Sequence, residues 1–132
     1  MYNWNYFRRY AGLLIAFQLL SCAPEVSIDI NPDRWKDDFD GCSGYRMKVY
    51  ENVIEKKEKL LGFSSKRIVK LLGNPTINEL YQRNQKFFIY RISPADSCGL
   101  KPESSSIFMI FRFNAMGLAN EIYLNDVPSP TN

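Results

Sequence analysis

The sequence predicts an α+β domain in which two N-terminal helices pack on one face of a three- to four-stranded antiparallel meander sheet. Three observations carry this. Apolar residues recur at helical spacing from Ser43 to Leu72, the period falls to two after Pro75, and the later runs are separated by segments rich in Gly, Pro, Asn and Ser. Helices first and strands afterwards is an α+β order.

The first helix is expected over Ser43 to Leu61, where Val49, Tyr50, Val53, Ile54, Leu60 and Leu61 share a face, Lys56, Lys57 and Lys59 lie elsewhere, and Gly62 stops it. In GFSSKRIVKLLGNPT (62–76), Ser64 or Ser65 can cap a second helix of about two turns whose Ile68, Val69, Leu71 and Leu72 face a core. Gly73 can take the terminating positive-φ conformation and Pro75 forbids continuation. Strands follow at NELYQR (78–83), KFFIYRIS (86–93), SIFMIFRF (106–113) and LANEIYLN (118–125), with NAMG (114–117) as a hairpin turn.

Ahead of the domain, Arg8 and Arg9 precede an apolar run from Ala11 to Leu20, then Ser21 and Cys22. Ten helical residues rise about 15 Å, half the hydrocarbon thickness of a bilayer. That is short for a span and suited to the apolar region of an export signal. Leu19-Leu20-Ser21-Cys22 resembles the bacterial lipobox, which implies cleavage before a diacylated Cys22. The alternatives are a secretory signal cut nearby, with Cys22 incidental, or a short amphipathic helix. Acyl chains such as palmitate contribute about 0.8 kcal/mol per buried CH₂, so two or three anchor stably. Ala23, rather than Asp, implies sorting to the outer membrane.

Three cysteines are an odd number for an exported chain. Assigning Cys22 to lipid leaves Cys42 and Cys98 as a pair that an oxidising compartment would close, two free thiols being the other possibility. The chain is thereby expected to divide into a signal peptide (1–21), a lipidated N terminus and tether (22–35), one α+β domain (36–126) and a disordered tail (127–132).

An acylatable cysteine, a tether, GFSSKRIVKLLGNPT, a tyrosine-bearing strand and FRFNAMGLANEI together resemble the SmpA/OmlA family of small BamE-like outer-membrane lipoproteins. Gly62, Leu72, Gly73, Pro75, Phe113 and Gly117 stand at the matching places, over about residues 60–125. The resemblance implies the fold, the periplasmic face of the outer membrane and an assembly-accessory role. The first helix is longer than the family's, and the Cys42/Cys98 pair is not part of its usual pattern. The same helix-helix-sheet unit occurs in secreted β-lactamase inhibitory proteins.

The composition disfavours most chemistry. There is no histidine, which removes the usual proton carrier and metal ligand. Of seventeen basic residues two precede Cys22, so the rest nearly balances fourteen acids, which is not a nucleic-acid balance. In DRWKDDFDG (33–41) an EF-hand alignment puts Lys36 first and Met47 twelfth, where carboxylates are required. No SxxK pair and no glycine-rich phosphate loop occurs. Neither an enzyme nor a cofactor is expected.

Alternation places Phe88, Tyr90 and Ile92, then Ile107, Met109, Phe111 and Phe113, then Leu118, Ile122 and Leu124 on the core face. The opposite face carries Phe87, Ile89, Arg91, Phe108, Ile110, Arg112 and Tyr123, with Glu121 beside them. Large apolar residues next to arginines, on a face the helices cannot also cover, suggest a partner-binding surface. The alternatives are that the N-terminal tether or a dimer mate covers the face, or that these are ordinary scattered surface hydrophobes. The expected function is that of a lipid-anchored, non-catalytic envelope scaffold or assembly accessory. An inhibitor or small-ligand-binding domain of the same fold is the alternative.

Overall fold

The computed structural model describes residues 26–100 and 105–129. Within them the order is α1 (Pro32–Asp37), α2 (Tyr45–Glu55), α3 (Lys57–Leu60), α4 (Ser65–Leu72), β1 (Ile77–Tyr81), β2 (Gln85–Arg91), β3 (Phe108–Phe113) and β4 (Ala119–Asn125). The strands form one antiparallel sheet in the order β1-β2-β3-β4, so the chain is α+β, with four helices and an open meander among the described residues.

Two helices become four for identifiable reasons. Between Ile54 and Leu60 the sequence offers no apolar residue to hold one continuous stripe, and the chain leaves helical geometry at Lys56 (φ −101°, ψ 13°), separating α2 from α3. Further upstream, α1 occupies ground read as tether. Pro32 opens it, and the Asn31 side chain accepts hydrogen bonds from the backbone N–H groups of Asp33 (3.1 Å) and Arg34 (3.0 Å). Trp35 is fully buried, and burying so large a side chain is enough to bring the segment into the fold. Asn52 donates to the Asp29 carbonyl (2.8 Å) and the Asn31 N–H donates to the Tyr45 hydroxyl (2.8 Å), which pins the extended run ahead of α1 to α2.

The second predicted helix stands as α4. Ser64 Oγ accepts from the Arg67 N–H (3.3 Å), and the Gly73 N–H closes the last turn on the Val69 carbonyl (2.8 Å). Gly73 then turns out at φ 76° and ψ −172°, a region that side chains rarely enter. A Cβ there would lie 2.7 Å from Cγ of Lys36. Gly73→Ala is therefore expected to lower stability by about 1–3 kcal/mol, read as a shift in the urea midpoint.

The main core lies between the helices and one sheet face. Trp35, Val53, Leu60, Ile68 and Leu72 meet Phe88, Tyr90, Met109, Phe111, Phe113 and Ile122. Phe88 packs edge-on to Phe113 (4.8 Å between centroids), and Tyr90 does the same to Phe111 (5.6 Å). The expected core face is therefore right except at its end, where Leu124 is 40% exposed. The hairpin over 114–117 also stands: Asn114 Oδ1 accepts from the N–H groups of Met116 and Leu118, with Gly117 at φ 75°.

Cys42 and Cys98 are bonded, with 5.4 Å between their Cα atoms. The bond ties the turn between α1 and α2 to the loop between β2 and β3. Of the expected tail, residues 130–132 lie outside the described residues, as do Cys22 and the whole expected signal segment.

Candidate functional site

Strand pairing brings all seven predicted partner-binding residues to one sheet face. In β2 and β3, Phe87 stands opposite Arg112, Ile89 opposite Ile110, and Arg91 opposite Phe108; Tyr123 of β4 stands opposite Ile110. The Arg91 guanidinium lies 4.8 Å from the centroid of the Phe108 ring. Arg112 donates twice to Gln85 Oε1 (3.1 and 2.9 Å) and once to Glu121 Oε2 (3.2 Å).

The expected exposure is not found at the centre of this face. Phe87, Ile89, Phe108 and Ile110 are 3, 0, 2 and 0% exposed and form a second apolar cluster, with Ile77 and Tyr123 packed against it. No described helix contributes to that cluster. Within it the four large side chains meet across strands, Tyr81 stands edge-on to Phe87 (5.8 Å), and Arg91 folds inward over Phe108. What remains accessible is the rim: Arg91, Arg112 and Tyr123 are half-buried and Glu121 is exposed.

A second constellation went unrecognised in the sequence. Arg46, in the first turn of α2, is completely buried. Its Nε donates to the Trp35 carbonyl (2.9 Å) and its Nη1 to the carbonyls of Phe39 (3.1 Å) and Arg91 (3.1 Å). The guanidinium is flanked by the rings of Trp35 and Tyr90, 5.2 and 5.8 Å from their centroids. Asp38, also buried, accepts the N–H groups of Ser43 and Arg46, both at 2.8 Å. Burial lowers the Arg46 pKa, with the nearby Asp38 charge opposing. Burial pushes the Tyr90 phenol well above the ordinary tyrosine range, the Arg46 charge opposing, while its hydroxyl donates to the Gly73 carbonyl (2.9 Å).

With three backbone carbonyls taking its Nε and Nη1 donors, Arg46 is a staple joining α1, the following turn and the end of β2, while its buried Nη2 has no hydrogen-bond partner among the described residues. Chain spacing gave no sign of it, because two turns between Asp38 and Arg46 bring the pair together. A third feature also went unseen: a groove beside α4 edged by lysines.

Among the described residues no group of His, Cys, Asp and Glu could hold a metal ion. No described helix is long and apolar enough to cross a membrane. Compared with known proteins, the chain matches no family model, no curated protein and no solved structure, so nothing in those comparisons identifies it with the SmpA/OmlA family.

Proposed function

We propose that this chain is a lipid-anchored lipoprotein of a bacterial cell envelope, held by acyl chains on Cys22 at the periplasmic face of the outer membrane. There it acts without catalysis, as a scaffold or assembly accessory working through protein contacts. The observation that carries the reading is the Cys42–Cys98 bond. It accounts for two of three cysteines, and the odd one follows directly on a basic start and an apolar run. Helices preceding an antiparallel meander also accord with a BamE-like fold. The accessible rim of the sheet face, Arg91, Arg112, Tyr123 and Glu121, offers charge and one aromatic ring to a partner.

Membrane fractionation with fatty-acid labelling tests the anchor. Wild type is expected to take label and sediment with outer membrane, and Cys22→Ala to do neither. Identical behaviour of the two without label would sink the proposal. Crosslinking in intact envelope tests the role: outer-membrane assembly components are expected, whereas a soluble enzyme or a small ligand would replace this reading with an inhibitor or a binding domain.

A further inference from the structure

The extended chain ahead of α1, α1 itself and the exposed side of α4 enclose a groove of about 730 Å³, within the size range of ligand pockets. Its floor is apolar, with Phe63 and Leu71 at the α4 end. Its edge carries Lys36 from α1 and Lys66, Arg67 and Lys70 from α4, and among the described residues no Asp or Glu lines it.

This concentration of charge runs against local stability. Lys66 and Lys70 are one turn apart on α4, a like-charge pair that costs a few tenths of a kcal/mol. Lys66 and Arg67 lie in the first turn, where the helix dipole disfavours cations, and that turn has no acid. Lys36 comes from a different element, and its stem lies against Gly73. Arg67 is stacked 3.7 Å from the Phe63 ring centroid, so it forms part of the wall. Local rules broken together around one concavity mark a site built for something else.

We propose that this groove binds a short acidic segment of a partner protein, with carboxylates on Lys36, Lys66 and Lys70 and an apolar side chain seated against Leu71, Pro32 and Val26. Charge complementarity sets the sign of the ligand, and the recessed apolar floor sets its shape. A planar layer of lipid headgroups would meet the lysines and leave the floor empty, whereas alternating acidic and apolar side chains fill both. The inference depends neither on acylation of Cys22 nor on the sheet face.

The test uses the full-length oxidised chain in non-ionic detergent and three fluorescein-labelled hexapeptides: alternating Glu and Leu, alternating Gln and Leu, and Glu alone. By fluorescence anisotropy the Glu/Leu probe is expected to bind most tightly, and more weakly as salt rises. Lys66→Glu/Lys70→Glu is expected to weaken it about tenfold or more. Lys66→Glu puts an acid in the first turn of α4, where the dipole favours it, and Lys70→Glu one in the last turn, where it does not. The two effects oppose, and a thermal melt of Lys66→Glu alone, expected no lower than wild type, separates lost binding from lost folding. Lys36→Glu gives an independent second reading. Equal binding of the Gln/Leu probe, or unchanged binding by both variants, would overturn the proposal. So would a result in which none of the peptides binds while the variants lose affinity for vesicles containing phosphatidylglycerol, since the groove would then meet a membrane surface.

Discussion

Arg46→Met is expected to lower the unfolding free energy by about 3–5 kcal/mol, the range for leaving one side of a buried polar arrangement uncompensated. Methionine is close in length and can keep the contacts with the rings of Trp35 and Tyr90, so the experiment isolates the polar part. Three carbonyls from separate segments, Trp35, Phe39 and Arg91, lose their donor at once. Each unsatisfied buried group costs about 1–3 kcal/mol. Asp38 keeps its two backbone N–H donors and loses the compensating charge. Arg46→Lys should recover only part of the loss, because one ammonium cannot reproduce a planar fork that serves three acceptors. Urea titration of the three proteins checks this. A methionine variant as stable as wild type would show that the guanidinium's hydrogen bonds do not hold these segments together.

Removing the disulfide has an effect of similar size and a different origin. Cys42→Ser/Cys98→Ser is expected to cost about 4 kcal/mol on the chain-entropy model, since the bond closes a loop between residues 56 apart in sequence. The native contacts around it do not depend on the sulfurs. The Ala95 N–H donates to the Asp40 carbonyl (3.0 Å), and the backbone at Gly41 comes so near Ser93 that a Cβ would sit 2.6 Å from its carbonyl oxygen. The double variant should therefore keep its circular dichroism at low temperature while its urea midpoint falls, and wild type treated with reductant should behave alike. Typical domains have only about 5–15 kcal/mol in total, so the reduced chain would be marginal. A loss under about 1 kcal/mol would mean that the unfolded chain is already compact across this loop, against the chain-entropy account.

The two effects differ in how far they can be read from the sequence. The pairing of Cys42 with Cys98 follows from counting cysteines, given an assignment for the third. Arg46 is different, because an arginine in the first turn of a helix reads as a solvated side chain. Only when Gly41 and Gly44 turn the chain do Trp35, Phe39 and Arg91 present carbonyls around one point. The signal for α1 was present as Asn31-Pro32, a cap followed by the residue best suited to the first helical position. Proline-rich composition suggested a tether instead, and the burial of Trp35 decided otherwise.

By itself the sequence determined what depends on near neighbours along the chain. The change from helical spacing to alternation, the Ser64 cap, the Gly73 stop and the Asn114–Gly117 turn are local, and they settled the α+β class and which strand residues share a face. Tertiary structure alone decided what lies over each face. Alternation sorts Phe87, Ile89, Phe108 and Ile110 to one side of the sheet, but exposure depends on every atom that comes near, and those four are buried. The same holds for the groove, since Lys36 lies thirty residues before Lys66 and the two line one concavity only after α1 and α4 pack together.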